Sequence, residues 1–212
     1  AWTHIENELI DDACGRVTDF LAQQQLDAST DIFFTSDHGE LQGDYGLLFK
    51  GAYHVDSLMR LPMIWRPAPD AGIAPEEIAA PVGHVDLAKT FCAVANIDEP
   101  GWVEGQALPT SNADAQAQHR QRQMTQWESE HGPVNMSLNT IYRDDWVCTA
   151  YAKGAIYNGD EGELYNLVAD PGSLYNLWDD PGYAGIRDDL VADLNDHLPA
   201  ARQPKLERKA PV

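Results

Sequence analysis

The run Ile32-Phe33-Phe34-Thr35 stops abruptly at Ser36-Asp37-His38-Gly39-Glu40. Four successive apolar or β-branched residues without polar alternation suit a strand covered on both faces. Before it, residues 5–24 place Ile5, Leu9, Ile10, Ala13, Cys14, Val17, Phe20 and Leu21 at three- and four-residue steps, the pattern of an amphipathic helix. Glu6, Glu8, Asp11, Asp12 and Arg16 fill the other face, and a polar turn from Asp27 to Asp31 separates helix from strand. Helix, turn, buried strand and polar cluster predict the αβ unit of a parallel-sheet protein. In such sheets functional residues gather just past the carboxyl ends of the strands.

The rest of the chain follows the same reasoning. A Gly-rich loop runs from Leu41 to about Asp56, and Pro62-Met63-Ile64-Trp65 is a second buried strand stopped by Arg66-Pro67. Ile78 to Val82 reads as a short strand. Asp86 to Ala95 reads as a helix with Leu87, Phe91, Val94 and Ala95 on one face, Asp86 as its N-cap and Asn96 at its end. Residues 111–126 have almost no apolar pattern and read as an exposed linker between residues 1–110 and a small unit, 127–212. Leu138 to Tyr142 and Trp146 to Tyr151 form a hairpin turning at Asp144-Asp145. Glu163–Gly172 and Ser173–Gly182 are near-duplicates, each a hydrophobic latch ending in an Asp-Pro-Gly turn. Ile186, Leu190, Leu194 and Leu198 mark a final helix from about Ala184 to His197, with a frayed tail after Pro204.

Composition excludes several classes. The net charge of −20 makes the general field of the chain repel nucleic acid and anionic membranes. No apolar run approaches the roughly 20 residues of a membrane span, and no secretory leader is visible. Asp outnumbers Glu 22 to 12 and only five basic residues are Lys; this fits an ordinary acidic enzyme better than an adaptation to salt. Cys14, Cys92 and Cys148 form neither a CxxC pair nor a zinc spacing, and Cys14 and Cys92 read as small buried hydrophobes.

Asp37 and His38 are the first candidates for chemistry. A carboxylate and a neutral imidazole side by side at a strand end can share one divalent cation. Lys50 is the second. It lies among Gly46, Leu47, Leu48, Phe49 and Gly51, where a cation on an anionic protein suits an anionic substrate oxygen, although on these residues alone a lysine snorkelling from a surface loop is the favoured reading. His54, Asp56, Arg60, His84 and Asp86 rank lower. Arg60 is read as pairing with Asp56 to hold the loop, and His84 as belonging to the approach to the helix. Glu128, Glu130 and His131 cluster near Trp127 without an assignable role.

Five segments in order carry a family resemblance: Glu8–Asp11 through Gly15–Val17; Thr35–Glu40 with Gly43-Asp44, Gly46–Leu48 and Lys50-Gly51; Arg60–Ile64; Val85–Ala88 through Thr90; and Glu163–Leu167 with Asp170-Pro171 and Asn176-Leu177. Together they resemble the C-terminal portion of the sulfatase family of the alkaline-phosphatase superfamily. The thirteen-residue step from Asp37 to Lys50, with His as second ligand, is closest to the choline-sulfatase and phosphonate-monoester-hydrolase branches. Lys89 stands where the family has proline before Thr90.

The resemblance implies an α/β fold: the C-terminal part of an alkaline-phosphatase-like mixed sheet flanked by helices, followed by a small antiparallel-sheet-plus-helix subdomain. It implies hydrolysis of a small anionic ester, with Asp37 and His38 binding one divalent metal, Ca2+ first and Mn2+ as alternative, and Lys50 touching the substrate anion and steadying the leaving oxygen. The family's nucleophile, a formylglycine made within C/S-x-P-x-R, has no counterpart in these 212 residues. The isolated chain is therefore expected to be inactive, its nucleophile belonging to an N-terminal part. Hydrolysis of phosphonate monoesters or phosphodiesters is the alternative within the superfamily; an inactive relative acting as a binding or structural module is the alternative outside it. An open sheet edge and an uncovered apolar face would make the isolated chain poorly stable or a homo-oligomer. Neither nucleic acid nor membrane is expected as a partner, and the compartment is left open.

Overall fold

A computed structural model describes residues 2–131 and 134–198. The expected tail after Pro204 lies outside the described residues, as do the side chains of Glu130 and His131.

The first helix, α1 (Trp2–Gln23), forms where its periodicity places it. It ends with Gln25 at φ 58° and the Leu26 amide donating to the Leu21 carbonyl, a left-handed cap that satisfies the last free carbonyls. Its apolar stripe is not covered by any described element: Leu9, Val17 and Phe20 are exposed. Cys14 is exposed with them, against the expectation of a buried thiol, and Cys92 is half-buried.

The strand β1 (Ile32–Thr35) pairs with β2 (Met63–Arg66), Ile32 opposite Arg66 and Thr35 opposite Met63. The pairing is antiparallel, where the helix–strand order had pointed to a parallel neighbour. Pleating puts alternate residues on opposite faces. Phe33 stacks on Trp65 at 5.3 Å between ring centroids and meets Phe91 edge-on at 5.0 Å. The other face, with Phe34 and Ile64, is exposed. Phe91 comes from α3 (Leu87–Val94), which closes on Asn96 at φ 50°; the Ile97 amide donates to Cys92 and the Asn96 amide to Ala93. Asn tolerates this left-handed position better than β-branched residues. Residues 78–82 form no strand.

The segment read as an exposed linker is built structure. Ser111 caps the helix α4 (Asn112–Ala117), its hydroxyl accepting from the Asp114 amide. The strand β3 (Gln123–His131) follows and pairs along its whole length with β4 (Val134–Arg143). β5 (Trp146–Tyr151) and β6 (Gly162–Asn166) complete an antiparallel meander in the order β3-β4-β5-β6. Asp144 and Asp145 turn the predicted hairpin with φ 53° and 61°. Two left-handed residues match the right-handed twist of the strands they join.

Each face of this sheet is covered differently. Ile141, Cys148 and Leu164 pack against Leu190 and Leu194 of α5 (Ala184–His197), with Trp178 at the edge. Tyr142, Val147, Tyr165 and Leu167 form a second cluster. The near-duplicate segments diverge here. In the first, Leu164 and Tyr165 are buried in β6, whereas their counterparts Leu174 and Tyr175 are 66% and 72% exposed. The second copy anchors through Asn176, whose Oδ1 accepts from the Leu164 and Trp178 amides. It is a clasp on the first copy rather than a second latch.

Candidate functional site

The polar cluster sits directly past β1, at the carboxyl end where it was expected. The Ser36 hydroxyl donates to the His38 carbonyl at 2.9 Å, and the His38 amide donates to Asp37 Oδ1 at 3.0 Å. That amide holds the Asp37 carboxyl below the usual carboxylate range, so it is anionic at neutral pH. The His38 ring is fixed by Nδ1, 2.8 Å from the Gly39 carbonyl, which makes Nδ1 the donor, so in the neutral ring the lone pair is on Nε2. Nε2 then lies 3.4 Å from Asp37 Oδ2. A carboxylate oxygen and an imidazole nitrogen thus face each other, one tautomer fixed by a carbonyl, as metal-binding histidines are fixed.

Two donors are an incomplete shell. Among the described residues no group of three or more His, Cys, Asp or Glu side chains could hold a metal ion. The donor chemistry of Asp37 and His38 fits a divalent cation, with further ligands needed from elsewhere.

Backbone contacts pin this loop. The Gly39 amide donates to the Leu58 carbonyl at 2.9 Å, and Gly39 lies so close to Ser57 that a Cβ there would come within 2.0 Å of its carbonyl oxygen. Leu41, Val55 and Leu58 form a small core under the loop, joined by Met59. Lys50 is exposed in the loop between Leu41 and the one-turn helix α2 (Asp56–Met59), and makes no hydrogen bond or ion pair among the described residues. Leu48 and Phe49 beside it are exposed. Arg60 Nε donates to Asp56 Oδ1 at 3.0 Å, the expected brace within this loop.

The lower-ranked residues separate. His54 is buried, with Nδ1 2.6 Å from Thr140 Oγ1, which in turn is 2.8 Å from Thr149 Oγ1. Burial lowers its pKa to about 4. The Tyr45 hydroxyl donates to the Gly172 carbonyl at 2.7 Å. These two bonds lay the Lys50 loop across the sheet face opposite α5. His84 sits in the turn before α3 as expected, yet its Nε2 is 3.0 Å from Thr35 Oγ1, two residues before Asp37.

Asp86 does not cap α3 with its side chain, correcting that expectation. It is buried against Arg120 at 2.8 Å and accepts from the Gly83 and Gln106 amides and Gln123 Nε2. Arg120 lies in the segment taken for a linker, so its role could not be read; two arginines, Arg120 and Arg122, in a Gln-rich run were the signal there.

Helices packed on a short antiparallel strand pair, followed by a four-stranded antiparallel sheet backed by a helix, give the chain an alkaline-phosphatase-like mixed α/β fold. The phosphonate monoester hydrolase of Agrobacterium radiobacter shares the fold, with TM-score 0.77 and 22% identity over 88% of this chain and 38% of that one. Residues 43–200 match the family described as N-sulphoglucosamine sulphohydrolase, C-terminal, and the chain belongs to the sulfatase family. It is 31% identical over 206 residues to the sulfatase YidJ of Escherichia coli (strain K12), covering 93% of this chain and 38% of YidJ. It is 31% identical over 102 residues to the choline-sulfatase of Rhizobium meliloti (strain 1021), covering 47% of this chain and 19% of that protein. The chain thus spans well under half the length of these relatives. Among the described residues no helix is long and apolar enough to cross a membrane.

Proposed function

We propose that the chain works as the C-terminal part of a metal-dependent sulfatase that hydrolyses a small anionic sulfate ester. The observation that carries this reading is the 3.4 Å approach of Asp37 Oδ2 and His38 Nε2 in a pinned loop past β1. Asp37 and His38 would hold one divalent cation, Ca2+ or Mn2+, which when bound would polarise the ester oxygens. Lys50 supplies an unpaired ammonium for the ester anion and for charge developing on the leaving oxygen. Against a net charge of −20 these are the places where the local field can favour an anion. The remaining metal ligands and the formylglycine nucleophile would come from sulfatase sequence that these 212 residues do not include.

The test is an assay of a longer protein carrying these residues behind a C/S-x-P-x-R motif, on an aryl sulfate and an aryl phosphonate, with and without a chelator. Sulfate hydrolysis abolished by chelation and restored by Ca2+ or Mn2+ is expected. Lys50→Ala should lower kcat by about 10²–10³-fold, the effect of removing one oxyanion-stabilising donor. Faster turnover of the phosphonate would transfer the assignment to that chemistry. Chelator-resistant activity would remove the role given to Asp37 and His38.

A further inference from the structure

A cavity of about 480 Å3, not lined by Lys50, lies between the Val85-Asp86 turn, residues 104–106 and 119–126, and the end of α5 at His197. Its walls are rigidly built. Arg120, besides its ion pair with Asp86, donates to the Gln106 and Ala107 carbonyls and to Gln118 Oε1. Gly105, at φ 81°, is pressed against the Val85 carbonyl, where a Cβ would come within 2.5 Å. On the other side Asp193 holds both Arg122, at 2.9 Å, and His197, at 3.0 Å. Side chains locked in this way keep their geometry before a ligand arrives.

The lining chemistry is specific. Amides come from Gln106, Gln121 and Gln126, an imidazole from His119 and a guanidinium from Arg122, whereas His197 has Nδ1 engaged by Asp193 and Nε2 by Arg122. Gln106 and Gln126 use Nε2 on the Gln118 carbonyl and Asn139 Oδ1, which leaves their carbonyl oxygens as acceptors. His119, in a left-handed conformation at φ 53°, and Gln121 are exposed, and neither side chain is hydrogen-bonded among the described residues. Both arginines are matched by a carboxylate, and Glu104 adds another to the lining. The wall therefore offers donors and acceptors without a net positive charge. Val85 and Met124 supply its aliphatic side chains.

We propose that this cavity binds an uncharged, hydroxyl-rich ring, a saccharide. A hydroxyl both donates and accepts, so it is satisfied by mixed amides, the His119 imidazole and a guanidinium. A sulfate or phosphate would need a cation that is not already paired, and a purely apolar ligand would strand the polar wall. The volume is that of an ordinary small-ligand site. The site uses neither the Asp37–His38 pair nor Lys50, so it stands or falls apart from the proposed reaction.

The test is an NMR titration of the 15N-labelled 212-residue chain with glucose and with N-acetylglucosamine, and separately with inorganic sulfate. Saturable shifts confined to residues 104–106 and 119–126 are expected with at least one sugar and none with sulfate. His119→Ala/Gln121→Ala should weaken sugar binding about tenfold, a difference of about 1.4 kcal/mol. Both positions are exposed, so an unchanged thermal midpoint separates lost binding from lost folding; Gln126→Leu is an independent variant expected to weaken binding too. No saturation with either sugar, undiminished binding in all the variants, or sulfate saturating the same resonances would overturn the proposal.

Discussion

The Asp86 carboxylate and the Arg120 guanidinium meet at 2.8 Å with both side chains only 3% exposed. The pair ties the turn before α3 to the segment leading into β3, and its hydrogen-bonding groups are nearly all engaged. Deleting one partner leaves a buried charge uncompensated, which costs about 3–5 kcal/mol. Arg120→Ala and Asp86→Ala should each lower unfolding free energy by about that much in urea titrations, and the double variant by less than their sum. A loss below about 1 kcal/mol for both singles would mean that water reaches the pair.

That bond also shows where sequence reading stopped. Elements with strong periodicity or turn chemistry were legible: α1, β1, β2, the hairpin at Asp144-Asp145 and α5 form where expected. So was the clustering of Asp37 and His38 past a strand. Residues 111–126 were not: the Ser111 cap of α4 is a local signal that was passed over, and the rest of their order comes from one buried guanidinium and from pairing with β4, both long-range. Local apolar pattern carries neither. The antiparallel β1–β2 pairing was hidden for a related reason, since short apolar runs fix strand identity but not strand direction. His54 looked like any loop histidine until the loop lay across Thr140.

His54 makes stability pH-dependent. Burial lowers its folded pKa to about 4, from 6.5 for the free side chain. Between those values the unfolded chain binds a proton that the folded chain refuses. The contribution is therefore fully present above pH 6.5 and is lost as pH falls towards 4. The loss amounts to roughly 3 kcal/mol at 1.36 kcal/mol per pH unit. Urea midpoints measured from pH 7.5 to 4.5 should fall accordingly, and His54→Gln should flatten that part of the profile. Asp37 and Asp193, both held below the usual carboxylate range, act in a more acidic window, so the two effects are separable. An unflattened profile in His54→Gln would refute the assignment.

Two glycines should respond in opposite ways to alanine. At Gly39 the new methyl would meet backbone, the Ser57 carbonyl oxygen at 2.0 Å and Leu58 Cα at 3.0 Å, and neither can rotate away. Gly39→Ala should cost about 1–3 kcal/mol through overpacking and shift the His38 imidazole resonances, since the loop must lift from Leu58. Gly15, within α1, has nothing within 4 Å of a built Cβ. Gly15→Ala should instead add about 0.5–1 kcal/mol through helix propensity. Thermal melts of the two variants beside the parent check both signs.

The three thiols report on which faces are covered. Cys148 is fully buried between the sheet and α5, and burial pushes its pKa up to about 12, so almost no thiolate forms near neutral pH. Cys14 is exposed on the uncovered stripe of α1, and Cys92 is half-buried. Because the thiolate is the reactive form and needs access, an aromatic disulfide reagent at pH 8 should modify Cys14 at once and Cys92 more slowly. Cys148 should react only when denaturant opens the sheet–helix core, bringing the total to three. Stopped-flow absorbance with single Cys→Ser variants assigns each phase. A Cys14 that reacts no faster than Cys148 would mean that the α1 stripe is covered in solution, as it would be in a self-associated chain.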